Sequence, residues 1–192
     1  MTSYYAMYAA GGELLSPSDQ GGEPRSAEED IALSRFFDDA VKPTTEQLLI
    51  RVDGFLDPGE MAQNFASTVI PGVIAADPTA WEILRPFVVN DCQAIPLEHS
   101  ERRKYFALRV YRLDALDYSR AKVVYWVNKP IMPVYVQRIE TFAFKENALR
   151  GVNLFGLPES RGDYPIVSEQ LKEVIEQAGL TGARFRPLPM AE

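Results

Sequence analysis

The sequence holds a single cysteine, Cys92, and a single histidine, His99, among 192 residues. One cysteine cannot close an internal disulfide, so a reducing, cytoplasmic setting is the simplest expectation. A zinc site takes about four ligands, mostly Cys and His, so no metal site of that kind is expected within one chain. No apolar run approaches the roughly 20 residues of a membrane-spanning helix, and no membrane partner is expected. The opening "MTSYYAMYAAGGELLSPSDQ" lacks the basic start and apolar core of a secretory signal. Basic residues are scarce early on: residues 1–100 carry 16 acids against 5 bases, a net of -11, whereas residues 101–192 carry 11 against 15, a net of +4. The acidic half argues against nucleic acid as a partner. It would instead attract a basic protein and speed the encounter. Carboxylates kept only for solubility explain the same numbers equally well.

What is present is an ordinary apolar fraction, 46%, in a chain long enough to bury a core without staples. "TSYYAMYAA" (2–10) reads as an opening strand, and the Gly- and Pro-rich stretch 11–25 as a loop. The glycines of that stretch follow no phosphate-cradle spacing, so no nucleotide cofactor is expected, nor any other. Ser26 and Glu29 form a capping box that predicts a helix to about Val41, with Leu33, Phe36, Phe37 and Ala40 on one stripe. Glu28, Asp30, Asp38 and Asp39 fall mostly off it, and the last two oppose the helix dipole. "EQLLIRVDGF" (46–55) alternates as a strand. Asp57-Pro-Gly-Glu60 predicts a short helix through Ala66, with Met61 and Phe65 inward. A buried strand or loop follows over 69–78. Asp77-Pro78 starts another helix, which Pro86 is expected to end.

From Cys92 onward the texture is strands: 93–99, 104–113, 122–127, 134–144 and 152–158, rich in β-branched and aromatic residues. In 104–113, Phe106, Leu108 and Val110 share one face. "SEQLKEVIEQAGLTGARFRPL" (168–188) then supplies a helix and a strand. Ser168 caps the helix and Leu171, Val174, Ile175 and Ala178 form its stripe. Gly179 stops it in a left-handed conformation, Leu180 folds back, and Phe185 points inward. Successive strands without intervening helices predict an α+β fold: a mostly antiparallel sheet, helices packed to one side, and a closing helix–strand unit. One compact domain is expected, with an acidic N-terminal region over 1–71 packed on a core over 72–190.

Candidate chemistry is thin. Any Ser–His–Asp or Cys–His arrangement must use His99, with Asp91 or Glu98 to orient the ring. Cys92 and His99 stand at opposite ends of a short strand, and "LEHSERRK" is polar enough to place His99 in an exposed loop. Asp114 and Asp117 form a carboxylate pair of no specificity, and Asp117-Tyr-Ser119 reads as a turn into the next strand. No catalytic residue is assigned.

The terminal run 168–188 resembles the closing signature of a bacterial immunity-protein family, the eleventh catalogued among polymorphic-toxin systems and formerly a domain of unknown function. "YRLDALDYSRAKV" (111–123) resembles that family's strand–"LDALD"–Ser–strand element, and "GVIAADPTAWEILRPF" (72–87) its preceding helix. Where the family has a Phe-Arg pair in the penultimate strand, "NLFGLPES" (153–160) has no arginine beside Phe155. The resemblance implies an inhibitor that binds a cognate toxin without catalysis. Many toxins are basic, so the acid cluster Glu28, Glu29, Asp30, Asp38 and Asp39 becomes the expected contact site. Two alternatives stand beside this reading. One is an interaction module of other purpose, such as a homodimer formed through a sheet edge. The other is a small hydrolase using His99.

Overall fold

The computed structural model describes residues 3–10, 14–18, 27–38, 40, 42, 50–55, 61–70, 72–99, 103–126, 135–160 and 163–191. The elements in chain order are β1 (Tyr4–Ala9), β2 (Leu14–Ser18), α1 (Ala27–Asp38), β3 (Ile50–Phe55), β4 (Phe65–Thr68), β5 (Ile74–Ala76) and α2 (Pro78–Val88). After these come β6 (Cys92–His99), β7 (Lys104–Val110), β8 (Lys122–Trp126), β9 (Tyr135–Thr141), β10 (Leu154–Phe155), β11 (Ile166–Ser168), α3 (Glu169–Gln177) and β12 (Ala183–Pro187). The fold is α+β and strand-rich. Six strands close into a barrel in the order β2-β3-β6-β7-β5-β4, four form a sheet in the order β10-β11-β1-β12, and β8 pairs with β9 alone. Most pairings are antiparallel, but β2 with β4 and β3 with β6 are parallel.

The barrel strands bury both faces. Ala66, Ala75, Ile95, Leu97, Tyr105 and Ala107 point into the lumen, where Leu33 and Phe37 of α1 join them. Their neighbours Phe65, Ile74, Ala76, Cys92 and Leu108 point outward into a second core shared with α2, α3 and the four-stranded sheet. The expected one-sided strand at Phe106, Leu108 and Val110 is therefore two-sided, since Tyr105, Ala107 and Arg109 on the other face are also buried. A third cluster, Leu116, Phe144, Phe155, Leu157 and Ile166 among others, roots the β8–β9 hairpin. It is knit by edge-to-face rings, with Tyr4 at 5.0 Å from Phe144 and Phe144 at 5.4 Å from Phe155.

Several expectations meet a different outcome. Part of the 11–25 stretch, read as loop, is strand β2. Its Pro17 faces only β3, because the β4 ladder ends at Leu15, so the missing N–H breaks no bond on that side. The helix expected through Ala66 is absent over 61–66. Met61 is exposed, and Phe65 is fully buried in β4, paired to Ala76 of β5; Asp57–Glu60 lie outside the described residues. Pro86 does not end α2. It sits in the last turn, and the helix runs two residues further and closes with Val89 N–H donating to the Arg85 carbonyl at 3.1 Å. Ala178, expected on the core stripe of α3, is exposed at the helix end.

The closing unit forms as expected. Ser168 Oγ accepts from Leu171 N–H at 3.2 Å. Gly179 has φ +66 and Gly182 φ +88. Leu180 N–H donates to the Ile175 carbonyl at 3.2 Å and Gly179 N–H to Glu176 at 3.1 Å, the two bonds of a Schellman stop. Asn64 binds this exit to the start of α2. Its Oδ1 accepts from Thr181 N–H at 2.9 Å, and its Nδ2 donates to Asp77 Oδ2 at 3.0 Å. The other oxygen of Asp77 caps α2 by accepting from Ala80 N–H at 2.7 Å.

The two glycines differ in a testable way. A Cβ on Gly179 meets nothing within 4 Å, whereas one on Gly182 would overlap the Phe65 carbonyl oxygen and the Gln63 side chain. Gly179→Ala should cost about 1–2 kcal/mol, the left-handed penalty alone. Gly182→Ala should cost clearly more in denaturant titrations, and equal losses would refute the close packing of β12 on β4.

Candidate functional site

The residues that could carry chemistry have structural partners. His99 is not in an exposed loop. The β3–β6 ladder extends to it, opposite Val52, and it is only 4% exposed, its ring 6.1 Å from that of Tyr105. Parallel pairing with a strand some 45 residues earlier buried a position that local polarity marked as surface. Neither proposed orienting acid serves it. Glu98 pairs with Arg51 Nε at 2.9 Å. Asp91 lies at the far end of β6, where its Oδ2 accepts from the backbone N–H groups of Asn153 at 2.8 Å and Leu154 at 3.0 Å. Burial raises the Asp91 pKa, and those two amides pull it the other way. Cys92, at the opposite end of β6 from His99, sits about 23 Å away at 3.3 Å per strand residue. Its thiol is buried, and desolvation, with the Asp91 charge second, pushes its pKa up to about 12. Cys92 and His99 therefore do not form a nucleophile–base pair.

The other acids are also engaged. Asp114 pairs with Lys145 Nζ at 2.8 Å. Asp117 Oδ1 accepts from Ser119 N–H at 3.0 Å and Oγ at 2.6 Å, the turn expected there, and these bonds hold its pKa below the usual carboxylate value. Among the described residues, no group of three or more His, Cys, Asp or Glu side chains could hold a metal ion. Among the same residues, no helix is long and apolar enough to cross a membrane.

Of the expected contact cluster, Glu28, Glu29, Asp30 and Asp38 lie on α1, but their side chains fall outside the described residues, as does Asp39 altogether. What fixes α1 is a residue the sequence did not single out. Arg109, 8% exposed on β7, donates from Nε to the Phe36 carbonyl and from a terminal nitrogen to the Lys42 carbonyl, both at 2.8 Å. Its guanidinium lies 4.6 Å from the Phe36 ring centre. A buried cation thus meets the carbonyl end of α1, where the helix dipole favours it. Arg112 likewise lies against Gly156, the residue beside Phe155, and donates to the Leu157 and Ser160 carbonyls at 3.1 and 3.0 Å.

Open surface of a different character lies on the four-stranded sheet. Tyr8 pairs across β1–β12 with Arg184, and Ala6 with Arg186. Met7 and Phe185 enter the α2–α3 core, so Tyr8, Arg184 and Arg186 take the other face. The Tyr8 and Tyr164 rings lie 5.4 Å apart, and Tyr164 is 50% exposed. A small groove of about 90 Å³ runs beside them, lined by Ala6, Phe142, Ser160, Asp163, Tyr164 and Arg186 among others. A wider, shallow hollow of about 570 Å³ lies at the start of α3, bounded by Asn153, Ser168 and Arg150. His99 lines neither.

The immunity protein family (Imm11) matches residues 85–189, more than half of the chain. Among curated proteins, no sequence matches. The chain belongs to the Imm11 immunity protein family.

Two outcomes test the structural roles above. Asp91→Ala should cost about 3 kcal/mol by orphaning two backbone amides, while Asp91→Asn, which keeps an acceptor, should cost much less; equal losses would mean that the charge, not the hydrogen bonding, matters. Cys92 in the native protein should resist a thiol reagent at pH 8 and react only on unfolding. Rapid native labelling would overturn its inert, buried assignment.

Proposed function

We propose that this member of the immunity protein family binds a cognate toxin and neutralises it by occupying its surface, without catalysis. The family match over residues 85–189 carries the reading. It is supported by the way His99, Cys92 and Asp91 are consumed by packing and backbone bonding. In this reading the protein acts in the cytoplasm, where Cys92 stays a thiol, and residues 1–71 and 72–190 work as one domain.

Association of such a pair is steered by charge before contact is made. The net of -11 over residues 1–100 suits a basic toxin, and we assign the steering role to Glu28, Glu29, Asp30, Asp38 and Asp39 of α1 and its end. No nucleic-acid, membrane or cofactor partner enters this reading, and a homodimer is not required by it.

The first test is genetic: the adjacent reading frame should be toxic when expressed alone and tolerated when this chain is co-expressed. The second is kinetic. Reversing all five charges should lower the association rate about tenfold at low ionic strength and flatten its dependence on salt. Unchanged rates at both salt levels would remove the cluster from the contact.

A further inference from the structure

We propose that the open face of β1 and β12 is the surface that grips the toxin, and that it takes an extended, carboxylate-rich segment of the toxin laid alongside β12. The proposal rests on the toxin-binding reading above and names where and how that binding occurs.

Charge is the first argument. Arg184 and Arg186 are two residues apart on one strand and share a face, about 7 Å from each other. Both are exposed, and neither makes an ion pair among the described residues. In a chain of net charge -7, two adjacent guanidiniums that no carboxylate among the described residues neutralises in an ion pair make a local site of opposite sign. Each presents a planar fork suited to a carboxylate.

Residue type is the second argument. Arginine and tyrosine are the side chains that most often carry binding energy in protein interfaces. Here Arg184 pairs across the strands with half-buried Tyr8, whose ring meets that of exposed Tyr164, and the groove beside Arg186 offers a pocket for one side chain. Asp163 also lines that groove.

Main-chain geometry is the third. β12 is the last strand of its sheet. The Ala10 N–H to Gly182 carbonyl and Leu188 N–H to Tyr4 carbonyl bonds set the alternation. Arg184 and Arg186 therefore bond to β1, and the N–H and C=O groups of Ala183 and Phe185 point out of the sheet edge. An added strand can pair with those groups while its alternate side chains reach the arginines. Pro187, which has no N–H, ends the available edge.

Charged side chains on an edge strand also serve to block aggregation. Charge reversal separates the two roles, because glutamates protect an edge as well as arginines do. Nucleic acid, which also offers anions, is disfavoured by the -7 net charge.

The experiment uses the full chain and the protein encoded by the adjacent reading frame. Arg184→Glu with Arg186→Glu should leave melting unchanged, raise Kd for that protein at least tenfold and abolish protection. Arg184→Lys with Arg186→Lys should fall between, and Tyr164→Ala should weaken binding severalfold. If the wild-type chain binds the neighbour and the double reversal binds it equally well, the gripping face is wrong while toxin binding stands. If the wild-type chain does not bind the neighbour at all, the toxin-binding reading itself fails, and this proposal with it. A double reversal that changes self-association, or binding to a DNA oligomer, and leaves toxin affinity alone also overturns it.

Discussion

The carboxamide of Asn64 joins parts of the chain that sequence separates widely. One atom of it receives the turn after α3, and the other holds the acid that caps α2. Phe65 follows immediately and fills the core between the two helices and the barrel. The junction works because Gly182 lets β12 approach the Phe65 carbonyl without a side chain in the way. Helix start, helix end, barrel strand and sheet edge are thereby fixed at one place, and the register of β12 against β1 depends on it.

From that junction the two-sided strands distribute the packing. A strand that buries both faces must carry apolar side chains at nearly every position, and β5, with three successive buried residues, shows this at its shortest. Such strands leave little freedom for a polar group inside. Among the described residues the buried polar side chains, Asp91, His99, Arg109 and Ser168, lie near strand ends, helix ends or turns. Three of the four bond main-chain groups that would otherwise be orphaned. Asp91, Arg109 and Ser168 are therefore spent on closing the fold.

What could be read in advance follows the range of the interactions. The caps at Asp77 and Ser168 and the Gly179 stop are set within a few residues, and all were legible. So was the succession of strands after Cys92. Closure of the barrel was not, because it depends on pairing Ile50–Val52 with Leu97–His99, which no local pattern encodes. The same pairing buried His99. At Phe65, a local signal for helix lost to strand pairing with Ala76 and a backbone bond to Thr181. Arg109 was invisible as a site because a charge on an alternating strand reads as solvent-facing, whereas here the lumen face ends against helix carbonyls. No local pattern marked the arginines of β12 as a site. The pairing of Arg184 with Tyr8 and of Arg186 with Ala6, near the other end of the sequence, is what gives the face its character.

β1 is placed between β11 and β12, although about 160 residues of chain separate it from β11. During synthesis at about 5–20 residues per second, β1 must wait on the order of ten seconds or more before either neighbour exists. The sheet is therefore completed only after β12 has emerged from the ribosome. Any surface made from β1 and β12 together exists only once nearly the whole of this sequence has been synthesised.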